Sequence, residues 1–210
     1  MKQIVRIEIL NRFEKKNPYP ITELNFCSPF ELLISTLLST QSTDVIVNKA
    51  TKKLYNKAND PRKFLDLGLN GIKNYIKPIG LYNIKALNII KICHILLNKY
   101  KGKIPNNRIE LEKLPGIGHK TASIILNTIF DQPEIAVDTH VFRVCNRTGF
   151  APGKYVQHVS NKLSKVVPII FKKHCHMWMV LHGRYICKAR NPKCNECNIK
   201  DLCRYYAIKN

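Results

Sequence analysis

Apolar residues recur along most of this chain every three or four positions, which is the spacing of an amphipathic α-helix. The longest such segment covers residues 83–100. Five of its side chains are expected to lie on or near one face: Ile84, Leu87, Ile90, His94 and Leu97. No convincing strand-forming run bounded by turns is present, so the chain is predicted to be all-α.

Capping and turn residues predict where several helices begin. The segment Ser28 to Glu31 has the form of a capping box with proline at the first helical position, followed by the apolar run LLISTLL. Thr43 or Ser42 can cap the next helix, and Asp60-Pro61 begins a short one. Further helices are expected at residues 109–113 and 119–130, and near 139–148, 155–168 and 170–185.

The sequence LPGIGHKTA at residues 114–122 separates two of the predicted helices. Gly116 and Gly118 permit a close approach of another backbone, and the helix that follows leaves its first N–H groups unpaired. Such a turn can bind one DNA phosphate, a contact that positions a protein without reading sequence. An ordinary turn between two helices is the alternative. The side chains expected to enter the core here are Leu114, Ile117, Ala122 and Ile125.

Four of the eight cysteines lie close together near the C-terminus, in the pattern C-x6-C-x2-C-x5-C. They are Cys187, Cys194, Cys197 and Cys203. Thiolates crowded in this way repel one another unless a metal neutralises them. Zinc sites usually contain two short C-x2-C pairs, so one such pair with two longer spacings favours a [4Fe–4S] cluster, with zinc as the alternative. The remaining cysteines are predicted to be core thiols: Cys27, Cys93, Cys145 and Cys175.

The charge balance predicts a polyanionic partner. The chain has 35 Lys and Arg against 14 Asp and Glu, a formal net charge of +21, and nucleic acid is the default partner for such a protein. Compositional drift in an AT-rich genome would account for part of the lysine excess. The lysines are spread along the chain rather than gathered on one amphipathic helix, which disfavours a membrane-surface protein. The N-terminus lacks the features of a signal peptide, so a cytoplasmic protein with reduced thiols is expected.

Five segments together resemble the endonuclease III family of helix-hairpin-helix DNA glycosylases. They are LLISTLLSTQSTD at 32–44, GLYNIKA at 80–86, LPGIGHKTA at 114–122, VDTHVFRVCNRTG at 137–149 and LHGRYICKARNPKCNECNIKDLC at 181–203. The cysteine frame matches the [4Fe–4S] spacing of this family at every position. His119 is a departure, because the family commonly has arginine or another residue there.

The resemblance implies two all-α domains that flank a DNA-binding cleft. Residues 22–132 would form a helical barrel that contains the helix-hairpin-helix, and residues 1–21 with 133–210 would hold the [4Fe–4S] cluster. The implied function is base-excision repair of double-stranded DNA by a nucleoid-associated bacterial enzyme, expected to be a monomer. It would remove oxidised pyrimidines as an N-glycosylase and cut 3′ to the abasic site as a lyase.

The resemblance also implies that Lys120 is the nucleophile and Asp138 its partner. A neutral lysine amine can attack the sugar C1′, displace the base and form a Schiff base that promotes β-elimination. A carboxylate nearby would stabilise the oxocarbenium-like transition state. The alternatives are a phosphate-binding role for Lys120 and helix capping by Asp138, and one aspartate can do both.

Other family positions imply contacts with DNA. Gln41 and Leu81 match residues that fill the space left when a damaged base is flipped out of the duplex. Gly116 and Gly118 would contact a phosphate, and His140 is either a DNA contact or a packing residue. Binding both ends of the loop between Cys187 and Cys194 to a metal would present three basic side chains to phosphates: Lys188, Arg190 and Lys193.

Two other functions are compatible with parts of this pattern. A monofunctional glycosylase of the same superfamily generally lacks the hairpin lysine and carries an additional C-terminal domain. A non-catalytic DNA-binding module with a structural metal would not need both Lys120 and Asp138. The presence of this pair therefore favours the bifunctional enzyme.

Overall fold

The computed structural model describes residues 1–209, and that part of the chain contains α-helices and short 3-10 turns but no β-strand. The helices are α1 (Gln3–Lys16), α2 (Pro29–Ser39), α3 (Asp44–Lys57), α4 (Pro61–Ile76), α5 (Tyr82–Tyr100), α6 (Arg108–Glu112), α7 (His119–Phe130), α8 (Thr139–Thr148), α9 (Val156–Val166), α10 (Ile169–Tyr185) and α11 (Arg204–Lys209). The predicted all-α class is confirmed. None of the described helices is long and apolar enough to cross a membrane.

The chain divides into two compact units. The hairpin unit is Thr22–Phe130, and the cysteine unit is Met1–Ile21 together with Asp131–Asn210. Each unit has its own apolar core. In the hairpin unit, α2 is buried on every side from Phe30 to Leu38, so this helix lies at the centre of the core.

The predicted capping residues start the helices that they were expected to start. Ser28 Oγ accepts a hydrogen bond from Glu31 N at 3.1 Å, while the Glu31 carboxylate accepts from Cys27 N at 2.6 Å. The carboxylate thus bonds the residue before the cap rather than the cap itself. Asp60 caps α4, whose helical geometry is interrupted at Gly68 (φ 68°). The segment that begins at Asp60-Pro61 is therefore short, as predicted.

One sequence-based expectation is wrong, and another did not decide which side of a helix is buried. In α5, the face shared by Ile84 and Leu87 is exposed, and the buried apolar side chains are those of Ala86, Ile89, Ile92, Cys93 and Leu96. This helix carries apolar residues on nearly all sides, so periodicity alone could not select its buried face. Cys27 is exposed because it precedes α2 in a capping turn, whereas the predicted burial of Cys93, Cys145 and Cys175 is confirmed.

In the cysteine unit, the N-terminal helix α1 packs against α10. Phe13 is buried there, and its ring lies 5.1 Å from that of His182. Trp178 Nε1 donates a hydrogen bond to Asn17 O at 2.7 Å, which holds the end of α1. Arg12 donates to Asp201 Oδ1 at 2.6 Å and so joins α1 to the segment that contains the last cysteines.

Candidate functional site

The hairpin between α6 and α7 is built around Gly116. Its φ is 80°, and a Cβ atom added there would lie 2.6 Å from Asn88 Nδ2 and 2.9 Å from Leu37 Cδ1. The conformation therefore favours glycine, and any larger residue would also have to displace the ends of the Asn88 and Leu37 side chains. The four side chains expected to enter the core are buried, as predicted: Leu114, Ile117, Ala122 and Ile125.

Gly118 differs from Gly116, because a Cβ atom added to Gly118 would meet nothing within 4 Å. Its carbonyl accepts the first helical hydrogen bond of α7, from Ala122 N at 3.0 Å. The amides of the first turn therefore have no helical carbonyl to bond, and the open space beside Gly118 leaves room for an anion. Lys120 is the second residue of α7, and its side chain is exposed.

An unpredicted polar network holds the start of α7 to α6. Arg108 donates to Ser123 Oγ at 3.1 Å, and its guanidinium and the Glu112 carboxylate both lie beside His119 Nδ1, at 2.9 and 3.1 Å. His119, the position that departs from the family pattern, is thus bound within the protein beside Lys120. The only sequence signal for this network was the i, i+4 pair of Arg108 and Glu112.

In the cysteine unit, Asp138 is the N-cap of α8. Its Oδ1 accepts a hydrogen bond from Val141 N at 2.8 Å. This bond uses one of the two carboxylate oxygens and fixes the orientation of the group. The helix-capping role considered for Asp138 is therefore present.

His140 packs tightly against α10. A Cβ atom on Gly183 would lie 2.9 Å from His140 Cβ, and Arg143 Nη2 lies 3.1 Å from His140 Nδ1. Burial lowers the pKa of His140, and the neighbouring Arg143 and Arg184 lower it further against an opposing effect of Asp138. The ring is therefore neutral at pH 7, with Nδ1 accepting the hydrogen bond from Arg143. These contacts support the packing role that was considered for His140.

The four C-terminal cysteines line one small cavity that is partly open to solvent. Burial raises the pKa of Cys197 to about 11 and also raises that of Cys203, so these thiols ionise only if a cation compensates them. The four cysteines thus share one cavity, in the C-x6-C-x2-C-x5-C spacing that favours a [4Fe–4S] cluster over zinc.

Two arginines of α8 bind the backbone around Cys187, and sequence reasoning did not single them out. Arg143 donates to the carbonyls of Gly183 and Cys187 at 2.8 and 2.9 Å. Arg147 donates to the carbonyls of Lys188 and Ala189 at 2.6 and 2.9 Å. Their i, i+4 spacing places them on one side of α8, which was the available signal.

The basic residues of the same loop are all exposed. Lys193 forms an ion pair with Glu196 at 3.0 Å, whereas no ion pair of Lys188 or Arg190 is present within residues 1–209. Arg147 fixes the carbonyl of Lys188 and thereby the course of the backbone at this point. Two of the three predicted phosphate contacts, Lys188 and Arg190, thus have their charge available to a ligand.

Gln41 and Leu81 belong to two loops that the hairpin unit brings together. Both residues are exposed, with φ values of 57° and 58°. Gly80 N donates to Ser42 Oγ at 3.2 Å, so the segments on which these side chains lie are directly bonded.

Comparison with known proteins identifies the family. The model of the HhH-GPD superfamily of base excision DNA repair proteins matches residues 34–169, and that of the iron-sulfur binding domain of endonuclease III matches residues 187–203. Endonuclease III of Escherichia coli (strain K12) is 62% identical over 205 residues, which cover 98% of this chain and 97% of that protein. The chain belongs to the endonuclease III family. The endonuclease III of Haemophilus influenzae is 58% identical over 98% of this chain and 97% of its own length.

Solved structures of endonuclease III agree with this assignment. A trapped covalent endonuclease III–DNA intermediate has a TM-score of 0.93 and 40% identity, covering 100% of this chain and 99% of that one. A non-covalent endonuclease III–DNA complex has a TM-score of 0.93 and 41% identity, covering 100% and 98%. As a member of the endonuclease III family, the protein is a base-excision DNA glycosylase and abasic-site lyase that acts on DNA and carries a [4Fe–4S] cluster.

Proposed function

We propose that Lys120 is the nucleophile of the reaction. The observation that carries this assignment is an exposed lysine in the first turn of α7, directly after a hairpin whose geometry favours Gly116. The related endonuclease III was trapped as a covalent intermediate with DNA, and a covalent intermediate needs a nucleophile on the enzyme. The neutral amine of Lys120 attacks C1′, the bond from C1′ to the base breaks, and the base leaves as it gains a proton. The C1′–O4′ bond then opens, with a proton passing from the amine nitrogen to O4′, and the resulting Schiff base acidifies the C2′ proton. Loss of that proton expels the 3′ phosphate by β-elimination.

Asp138 is the acidic partner in this proposal. One carboxylate oxygen caps α8, and the other remains to stabilise the positive charge that develops on the sugar. The two residues lie in different units of the chain, and each role rests on the match of its own segment to the family pattern. The two compact units also support the proposed domains, because their boundaries after Ile21 and Phe130 lie close to residues 22 and 132.

The cluster is held by Cys187, Cys194, Cys197 and Cys203, which share one cavity. When bound, the iron–sulfur cluster supplies the positive charge that allows four half-buried thiolates to lie close together. Its function in this protein is structural, because it fixes both ends of the loop that carries Lys188 and Arg190. These two residues contact DNA phosphates, with a smaller contribution from Lys193, whose charge Glu196 partly offsets.

The substrate is double-stranded DNA with an oxidised pyrimidine or an abasic site, bound by a monomer in the bacterial cytoplasm at the nucleoid. Gln41 and Leu81 enter the duplex when the damaged nucleotide is flipped out, a role supported by their exposure and by their left-handed backbone. The open side of Gly118 binds one phosphate, with Gly116 shaping the turn. His140 orients the start of α8 and contacts DNA only secondarily.

Borohydride trapping on duplexes that contain thymine glycol or an abasic site tests the nucleophile. Wild type is expected to give a covalent protein–DNA product, and Lys120→Ala is expected to give none. Lys113→Ala is a matched control, because Lys113 lies in the same hairpin and is paired with Glu110 on the surface. A trapped product with Lys120→Ala, or equal loss in both variants, would contradict the assignment.

A further inference from the structure

Gln41 and Leu81 hold a backbone conformation that L-residues rarely adopt. Their φ values are 57° and 58°, and the Leu81 side chain is 55% exposed. A residue other than glycine keeps a left-handed conformation only when its surroundings over-determine it. Because both side chains extend into solvent, their own packing does not supply that constraint. The constraint must come from the backbone of the two loops.

The two loops touch each other directly. Gly80 N donates a hydrogen bond to Ser42 Oγ at 3.2 Å. A Cβ atom added to Gly80 would lie 3.4 Å from the carbonyl oxygen of Gln41, so the two backbones leave little more than the space of a methyl group between them. The segment around Gln41 and the segment around Leu81 thus form a continuous surface feature, which we call the paired loops (residues 40–43 and 79–82).

Lys85 bonds both members of the paired loops. It lies one turn after Leu81 in α5 and is buried, with 4% of its surface exposed. Its ammonium donates to Leu38 O at 2.9 Å and to Thr40 O at 2.5 Å, at the C-terminal end of α2. Its backbone N donates to Leu81 O at 3.0 Å, which is the first hydrogen bond of α5 and would form with any residue at this position. The Lys85 side chain is therefore what connects the end of α2 with the first turn of α5.

The environment of Lys85 is unusual for a buried cation. Within residues 1–209 its ammonium has these two carbonyl partners and no carboxylate partner, and burial lowers its pKa. The carbonyls at the end of α2 carry the negative end of the helix dipole, which favours a cation at this position. An apolar side chain of similar size usually stabilises a core at least as well as a buried charge does. Here, however, an apolar side chain would leave the carbonyls of Leu38 and Thr40 without this donor, so the lysine both caps α2 and ties its end to α5.

We propose that Lys85 is a positioning residue that fixes the paired loops as one rigid element, so that Gln41 and Leu81 enter the DNA duplex together. This inference rests on the insertion roles proposed above for these two side chains. A rigid element avoids the entropy that two independently mobile loops would lose on binding. Lys85 acts through the backbone of the loops and touches neither the base nor the sugar.

The variant Lys85→Met tests the inference, because it keeps the length of the side chain and removes the ammonium. We expect cleavage of an abasic-site duplex to fall by about tenfold or more, because the substitution removes both charge-assisted hydrogen bonds of the ammonium. Cleavage of a single-stranded abasic oligonucleotide should be unchanged, because a single strand has no stack to fill. A 2-aminopurine placed opposite the abasic site should brighten less on binding than it does with wild type.

Ile72→Val is the matched control, since Ile72 is fully buried in the same unit and lies outside the paired loops. It should alter stability and leave the preference for duplex over single strand unchanged. Ser42→Ala removes the hydrogen bond to Gly80 at an exposed position and provides a variant that folds if Lys85→Met does not. We expect it to lower duplex cleavage by about threefold, consistent with a weaker neutral hydrogen bond.

The outcomes separate this inference from the function on which it rests. Equal losses on duplex and single strand, or a normal 2-aminopurine signal in both Lys85→Met and Ser42→Ala, would overturn the positioning role. If Gln41→Ala cleaves the duplex as well as wild type does, the insertion role itself fails. Impairment of Gln41→Ala with normal behaviour of Lys85→Met would leave insertion standing and reject the role of Lys85 alone.

Discussion

The two units of this protein are ordered by different means. In the hairpin unit, α2 is surrounded by apolar side chains, and turns such as that at Gly116 are fixed by packing. In the cysteine unit, α1, α8, α9 and α10 have a comparable core, but the segment from Cys187 to Cys203 consists of loops and two 3-10 turns, and Ile199 is its single fully buried side chain. Apolar burial is enough to order the hairpin unit, whereas the segment from Cys187 to Cys203 also depends on bonds to a metal and to arginines.

The largest expected effect comes from removing one of the four cysteines that hold the cluster. Cys197→Ala should abolish the visible absorption of the cluster and raise hydrogen exchange throughout residues 187–203, because few apolar contacts hold this segment. The amides of α2 should stay protected. Cys27→Ala, which changes an exposed cysteine outside the frame, should alter neither property. Simultaneous loss of protection in α2 and in residues 187–203 would show that the two regions depend on the same interactions.

Asp138→Asn should separate catalysis from folding in the cysteine unit. Asparagine caps a helix as well as aspartate does, so the melting temperature should change little. Base excision should fall by about 10²–10³-fold, the cost typical of removing one group that stabilises transition-state charge. Single-turnover excision measures the first property and thermal melting the second. Unchanged excision would reduce Asp138 to a helix cap.

Replacing each hairpin glycine by alanine tests whether packing fixes the turn in the hairpin unit. Gly116→Ala introduces both a left-handed alanine and a clash with Asn88, so we expect a loss of about 2–4 kcal/mol in the free energy of unfolding. Gly118→Ala has open space and should change stability by less than about 0.5 kcal/mol while weakening DNA binding. Denaturant unfolding and DNA titration of both variants test this contrast, and equal destabilisation would contradict it.

The smallest expected effect concerns the charges on the loop between Cys187 and Cys194. Arg190→Ala should reduce the slope of log affinity against log salt by about 0.9, the value for one phosphate contact on duplex DNA. Lys193→Ala should reduce it less, because Lys193 is paired with Glu196. Fluorescence anisotropy at several salt concentrations measures both slopes. If Lys193→Ala has the larger effect, the ion pair does not persist when DNA binds.

Several local features followed from sequence because they depend on residues close together in the chain. The caps at Ser28 and Asp60 and the buried positions of the hairpin are examples. The buried face of α5 did not follow, because its apolar residues surround the helix and only its neighbours select a side. Two further sets of contacts could be found only from the tertiary structure: the network of Arg108 with His119, and the hydrogen bonds of Arg147 to the loop after Cys187. Their partners are distant in sequence or are backbone carbonyls.

The sequence by itself determined the helical class, the cysteine frame and the glycine hairpin, because periodicity, ligand spacing and backbone freedom are properties of short segments. The tertiary structure decided which carbonyls the buried ammonium of Lys85 bonds and that the loops of Gln41 and Leu81 meet. Those contacts join residues about 40 positions apart, as the separations of 47 between Leu38 and Lys85 and of 38 between Ser42 and Gly80 show. Their partners are backbone groups that every residue type possesses, so no sequence pattern could indicate them.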